Sequence, residues 1–323
     1  MVDPLSNDVP VSLAGASFAR VTAGAVPFLI STAATVSEAE AQWLCDGSAG
    51  LGAAGVITVS QQGDSVGANT GAWHCVLTGA SGAPVPELEP DAALAVAAYL
   101  DEAGQLGAGT RLEFGSGEAY VVSRSRGNYK VAGVRWSFAF PQQAQAKASD
   151  GTVQAEGVPV ARPCLTMTVG APVSVVALAD VSELDRLRLD ERGPQLDSEV
   201  LERSSTSFVV PHDPLVDRGI AAVSMRFYHA HDALAGNSGD TDNISTAGRR
   251  LSREFGSSVA AAVAGSVAFQ YWAGSGRDIA EGWAVNQPSA LVGVRLEPGS
   301  ASNASGTAQA TGPARVIATI QLR

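Results

Sequence analysis

Positive charge is scarce in this chain and nowhere concentrated. There are 21 Lys and Arg against 32 Asp and Glu in 323 residues, a formal net charge of -11, and basic residues gather only in pairs such as Arg249 and Arg250. Such a surface has no electrostatic footprint for nucleic acid or for an anionic membrane, so a small molecule is the expected partner. The three cysteines, Cys45, Cys75 and Cys164, are far apart and odd in number. They form neither a disulfide framework nor a CxxC metal pattern, which points to a reducing cytoplasm. The first residues, MVDPLSNDVPVS, lack a basic region followed by an apolar core, and no run of about eighteen apolar residues occurs anywhere; neither a signal peptide nor a membrane span is expected. GxxxxGK[ST] and HExxH are both missing, and no metal or cofactor is expected.

What remains is a globular composition, 46% hydrophobic and 16% charged, in a chain long enough for two domains with cores of their own. Alternation over residues 11–31 predicts two strands around a turn at Ala23 and Gly24. TVSE at residues 35–38 is a capping signal for a helix over 38–45, with Thr35 or Ser37 as the cap. VITVS and residues 73–78 read as strands, residues 91–105 (DAALAVAAYLDEAGQ) as the strongest helix by propensity, and 111–114, 119–124 and 129–140 as further strands. Residues 142–159 are polar and poor in large apolar side chains, as in a linker, so the domains are placed at 1–145 and 146–323. In the second half, strands are expected at 164–169, 173–178, 207–210, 221–228, 290–296 and 314–322. A charged capping segment is expected at 182–192, and, after the loop at 236–250, a helix through about residue 256.

The two halves share a plan: strands lead to a loop whose acid immediately precedes a helical segment, EPDAALAVAAYL in one and DTDNISTAGRRL in the other. Counted from Asp91 and Asp242, Leu100 and Leu251 fall at the same offset. On the residues alone each aspartate is either a plain helix cap or one of two acids facing one substrate. In the second reading an ionised carboxylate removes a proton and a neutral acid returns it to another carbon, without metal or cofactor.

Other motifs carry less. His229-x-His231-Asp232 sits at a strand end, where alternate residues share a face, and is a solvated strand end or a metal or general-base site lacking a clear third ligand. GDSVG at residues 63–67 follows a strand but opens no helix, so Ser65 is a turn residue. The GxGxxG within residues 47–55 follows a helix and not a strand, the wrong context for a dinucleotide.

Taken in order, AGAVPFLI with TVSEAEAQWL, EPDAALAVAAYLDEAGQL, MRFYHAHDALAGNSGDTDNISTAG and EGWAVNQPSALVGVRL are four segments that together resemble the phenazine-biosynthesis isomerase (PhzF-like) family of the diaminopimelate-epimerase-like superfamily. AGAVPFLI with TVSEAEAQWL resembles the family's GNP turn, strand and LSxxEMQ helix, and EPDAALAVAAYLDEAGQL its GHxTxxxA helix. MRFYHAHDALAGNSGDTDNISTAG resembles the RxFaP strand and EDPvTGSA loop, and EGWAVNQPSALVGVRL the QGxxxGRPS strand entry. The resemblance spans nearly the whole chain.

It implies an α+β fold of two similar domains, each a mixed or antiparallel sheet wrapped round a central helix, with a cleft between them. Such proteins commonly dimerise, so a homodimer is expected. It also implies a cofactor-independent isomerase that moves a proton and a double bond in a small carboxylic acid of specialised metabolism, such as an antibiotic pathway. Asp242 and Asp91 take the catalytic roles by this alignment. Backbone N–H groups of Ser245 and Thr246 hold a substrate carboxylate, and Gln287, Ser289, His229, Gly52 and Ala53 complete the substrate-binding candidates.

Departures from the pattern are specific. The family's first acid, in an SET-type turn, falls on Gly52, Ala53 and Ala54, and its histidine on Asp91. The epimerase branch's cysteines fall on Leu88 or Glu89 and on residues 241–245, none of them cysteine, which argues against two-thiol racemisation. A cyclase that folds its substrate, or a non-catalytic metabolite-binding relative, are the alternatives.

Overall fold

The computed structural model describes residues 9–32, 35–61, 72–189, 193–197, 204–229, 254–274 and 277–323. In chain order the elements are β1 Ser17–Ala23, β2 Val26–Ser31, α1 Glu38–Cys45, β3 Gly55–Gln61, β4 Trp73–Gly79, α2 Glu89–Glu102, β5 Thr110–Phe114, β6 Ala119–Ser125 and β7 Asn128–Phe138. There follow α3 Pro141–Lys147, β8 Gly151–Gln154, β9 Arg162–Val169, β10 Ala171–Ala177, α4 Val181–Arg186, β11 Gln195–Leu196, β12 Ser205–Asp217 and β13 Ile220–Tyr228. The last are β14 Glu254–Phe255, α5 Val259–Gly274, β15 Gly282–Gln287, β16 Ala290–Leu296, β17 Ser305–Gly312 and β18 Ala314–Gln321.

Contacts divide the chain into two compact units. One takes the described residues up to Tyr129 together with Ala314–Arg323; the other takes the described residues from Lys130 to Pro313. In the first, β18, β1, β2, β3, β4, β5 and β6 pair in that order. Its helix α2 packs against β18 and β1 at one end of the ladder and β6 at the other, so the sheet curls round it. Alanine supplies the propensity, and because α2 is apolar on nearly every face it is buried from Glu89 to Ala98 and again at Leu100. Gly104 takes φ 68°, and the N–H of Gln105 reaches the carbonyl of Leu100 at 2.7 Å, a left-handed closure that favours glycine.

In the second unit the strands close into a ring among the described residues, β9-β10-β12-β13-β15-β16-β17-β7 and back to β9. Inside it runs α5, VAAAVAGSVAFQYWAG, buried continuously from Val259 to Gln270. A helix with no polar face has to lie inside a core. A layer of α4, β8 and β11 covers the outside of β9, β10 and β12, sealed by Val153, Cys164, Val176, Leu184, Phe208 and Tyr228.

The pairing pattern repeats. Strands β1 to β6 are joined antiparallel, parallel, antiparallel, parallel, antiparallel. The run β9-β10-β12-β13-β15-β16 follows the same sequence, with α4 at the place of α1 and α5 at the place of α2. The duplication expected from sequence is therefore present in the topology, but with different partners. The counterpart of α2 is α5, which begins at Val259; residues 254–255, expected in a helix through about residue 256, instead pair with β13 as β14, and the offset pairing of Leu100 with Leu251 does not identify the second central helix.

Three further expectations change. Residues 142–159 are not an open linker: α3 and β8 lie there, and α3 is fastened by Tyr271, whose hydroxyl donates to the Ala144 carbonyl at 3.0 Å, and by Trp272, whose indole N–H donates to the Ala148 carbonyl at 2.8 Å. Polar composition reads like a linker when anchoring aromatics lie more than a hundred residues away. Residues 11–13 form a 3-10 turn before β1, and β17, rich in Gly, Ser and Thr, was absent from the expected strands. The α1 boundaries agree with the sequence: Ser37 is the cap, its N–H donates to Glu40 Oε2 at 2.7 Å, and its hydroxyl accepts from the Glu40 N–H. Among the described residues no helix is long and apolar enough to cross a membrane.

Candidate functional site

Among the described residues, Asp91 lies in the first turn of α2 and Gln287, Ser289 and His229 gather near the first turn of α5, while Gly52 and Ala53 lie in the loop after α1.

At α2, the 3-10 turn Pro86–Leu88 runs directly into the helix, with Pro90 in the first turn where its missing N–H costs nothing. Leu88 occupies the cap position and makes no side-chain cap. Asp91 is therefore not the N-cap but the third helical residue, and its side chain is buried, 2% exposed. Glu87 and Glu89, each 3% exposed, lie beside it in sequence and are buried too. Acids in the first turn face the positive end of the helix, which helps to tolerate them there.

Glu89 is the unusual one. Burial pushes its carboxyl up to about 7; the hydrogen bond from Ser116 Oγ, 2.8 Å from Oε2, opposes that rise, and the charges of Glu118 and Glu87 add to it. A carboxyl that titrates near neutrality can hold a proton or release one under ordinary conditions, as acid or base catalysis needs. Sequence reasoning noted position 89 only as a site without cysteine. The signal available was the run PELEPD at residues 86–91, acids spaced around a proline, whose burial only the fold decides.

At α5, the backbone of residues 254–258 leads from β14 into the helix. Ser258 is the cap: its hydroxyl accepts from the Ala261 N–H at 3.2 Å. Gln287, at the end of β15, grips the same residue twice. Its Oε1 accepts from the Ser258 N–H at 2.5 Å and its Nε2 donates to the Ser258 carbonyl at 2.8 Å. The Ser289 N–H donates to the Gly256 carbonyl at 2.9 Å. Gln287 and Ser289 thus meet at the start of the second central helix, and the amide of Gln287 is engaged in holding that backbone. His229 follows β13, is 1% exposed, and stands edge-on to Phe227 with ring centroids 6.0 Å apart.

Gly52 and Ala53 lie in a loop organised by Asp46, whose Oδ1 accepts from the Ser48 N–H at 2.6 Å and the Ala49 N–H at 3.0 Å. Burial raises the Asp46 carboxyl, but these bonds together with the Ser48 hydroxyl outweigh it and leave it below the usual range. Gly52 takes φ 63°, and its N–H reaches the Asp46 carbonyl at 3.0 Å. Ala53 is fully buried in the apolar cluster with Phe18, Leu29, Leu44, Cys45 and Val56. Its methyl packs the core and offers no polar group.

Asp242, Ser245, Thr246, His231, Asp232 and Ser65 lie outside the described residues. All three cysteines are buried, and burial pushes each thiol up to about 12, with the charge of Glu89 adding to the rise at Cys75 and those of Asp150 and Asp197 at Cys164. Thiols of that kind stay protonated and unreactive. Among the described residues no cluster of His, Cys, Asp and Glu could hold a metal ion.

No family model matches the sequence. Solved structures do resemble this one. The phenazine biosynthesis protein of the PhzF family from Bacillus anthracis superposes with a TM-score of 0.59 at 12% identity, over 95% of this chain and 98% of that one. A hydroxyproline epimerase from Agrobacterium vitis, with trans-4-hydroxy-L-proline bound, gives 0.53 at 10% identity over 95% and 92%. A putative phenazine biosynthesis PhzC/PhzF protein from Clostridium difficile gives 0.52 at 11% identity over 95% and 99%. The repeated strand order, the buried central helices and these superpositions agree: the chain has the fold shared by PhzF-family proteins and the hydroxyproline epimerase.

Proposed function

We propose that the protein is a cofactor-independent isomerase that moves a proton, and with it a double bond, within a small carboxylic acid. The observation that carries this reading is the buried carboxyl of Glu89, held near neutrality in the first turn of α2 beside Asp91. Its support is the fold, which an epimerase with a bound hydroxyproline also has.

In the proposed reaction an ionised carboxylate takes a proton from a carbon next to an activating group of the substrate. The C–H electron pair moves into a new double bond, the old double bond gives up its pair to the distant carbon, and a protonated carboxyl delivers a proton there. Charge and electrons balance without an oxidant or reductant. Asp91 and Asp242 are the proposed pair, with Glu89 the group whose proton is poised for delivery. Backbone N–H groups of Ser245 and Thr246 are proposed to hold the substrate carboxylate. A pathway of specialised metabolism, a cytoplasmic location and a homodimer belong to the same proposal.

One observation favours a second reading. Where the resemblance puts the family's first acid stands Ala53, wholly inside an apolar cluster. A relative that binds a metabolite without transforming it, or a cyclase that folds one, would have no need of that acid.

Solvent deuterium incorporation into a panel of small unsaturated acids and amino acids separates these. Wild type is compared with Asp91→Asn, Glu89→Gln and Asp242→Asn. Exchange by wild type that falls a hundredfold or more in one of the variants is the expected result. Binding without exchange of any compound would move the assignment to the binding protein or the cyclase.

A further inference from the structure

Two neighbouring hydroxyls on β12, Thr206 Oγ1 and Ser207 Oγ, are fully buried and have no hydrogen-bond partner among the described residues. Neighbours on a strand face opposite sides of the sheet. Phe208 belongs to the cluster beneath α4, and Thr206 shares its face. On that face Thr206 pairs in register with Ser174, a member of the hydrogen-bonded chain Ser204, Ser174, Thr166, Asp150.

Ser207 faces the other way, together with Val209. That face is the interior of the barrel: a Cβ placed on Gly265 of α5 would lie 3.6 Å from Val209 Cγ2 and 2.8 Å from Met225 Cε. Val209 pairs with Met225, and one pleat further along Ser207 pairs with Phe227. Phe227 in turn pairs with Phe255, just before the first turn of α5. The step from Val209 to Ser207 therefore runs along the barrel wall toward the N-terminal end of α5. His229 is at the same end, by its ring contact with Phe227, and Ser257 precedes the helix; both are buried.

A buried hydroxyl with nothing to bond loses its hydration and gains nothing within the fold. Alanine has the same backbone demands and would avoid that cost. A serine kept there against stability fits a group whose partner arrives from outside, at a helix end already favourable to anions.

We propose that the Ser207 hydroxyl orients the substrate, hydrogen-bonding an oxygen of a small organic acid seated at the N-terminal end of α5. A hydroxyl can donate to a carboxylate or accept from an alcohol, so either oxygen type fits. The proposal rests on the small-acid reading above and adds a residue of the second unit that orients the substrate.

Ser207→Ala tests it beside wild type and Ser174→Ala, a control on the opposite face. The probes are L-proline, trans-4-hydroxy-L-proline, itaconate and trans-aconitate. Affinity is measured by calorimetry and unfolding temperature is measured without ligand. The expected result is a Ser207→Ala protein that unfolds a few degrees higher than wild type yet binds the preferred acid at least tenfold more weakly. Ser174→Ala should unfold lower and bind unchanged. Unchanged affinity in Ser207→Ala overturns the proposal. So does a lower unfolding temperature or failure to fold, which would give the hydroxyl a structural partner, and so does the absence of binding of all four acids by wild type. An acid that binds wild type without deuterium exchange, and binds Ser207→Ala more weakly, would sink the isomerase reading and leave the Ser207 contact standing.

Discussion

The Ser116 hydroxyl donates a 2.8 Å hydrogen bond to Oε2 of Glu89, tying the turn between β5 and β6 to the first turn of α2. That bond favours the ionised carboxylate, whereas burial and the charges of Glu118 and Glu87 favour the proton. Removing the hydroxyl with Ser116→Ala should raise the carboxyl further. If Glu89 delivers a proton, the alkaline limb of the deuterium-exchange rate should move upward in Ser116→Ala. A limb that stays in place would show that Glu89 does not titrate in the reaction.

The same shift sets a pH dependence of stability. The carboxyl rises from 4.5 to about 7 on folding, so between those values the folded protein keeps a proton that the unfolded chain has lost. Stability from this group is complete below the lower value, declines as pH rises through the window, and is lost above it. The full difference is about 3 kcal/mol. Glu89→Gln should flatten the decline, which urea unfolding at several pH values across the window would measure; an unaltered slope would contradict the assignment.

Gln287 holds the backbone of Ser258 by both its N–H and its carbonyl. Gln287→Ala leaves that N–H without its partner, at a cost of about 1–3 kcal/mol. Gln287→Glu keeps an acceptor for the N–H but sets a carboxylate against the carbonyl. The expected order of stability at neutral pH is wild type, then the two variants, with the glutamate variant recovering in acid as its carboxyl protonates and can donate. Chemical unfolding at two pH values reads this directly.

Cys45, Cys75 and Cys164 are buried, each with a thiol pushed up to about 12. All three should resist a thiol-specific colorimetric reagent in the folded protein and react together on unfolding. Rapid labelling of any one under native conditions would restore thiol chemistry as a candidate mechanism.

At the start of α1, Ser37 and Glu40 satisfy one another's backbone N–H groups. Ser37→Ala should destabilise the protein by about 1 kcal/mol. Thermal unfolding tests it, and Ser37→Asp, which can still accept from the Glu40 N–H, should recover most of the loss.

Local chemistry determined much of this protein in advance. A cap followed by acids marked α1 to the residue, alanine marked α2, and alternation marked most strands, because each depends on neighbours a few positions away. The order of these elements was enough to point to the fold. Tertiary structure decided the rest. The Val and Ala run of α5 has no polar stripe, so no helical period distinguishes it from a strand, and only enclosure by a ring of strands makes it a central helix. α3 looked like a linker because Tyr271 and Trp272, which fasten it, are remote in sequence. Asp91 looked like a cap because the register of a helix start depends on the turn before it. Glu89 carried no mark in the sequence beyond the missing cysteine, since a carboxyl's proton affinity follows from burial and neighbouring charge, and both are set by residues that only folding brings to its side.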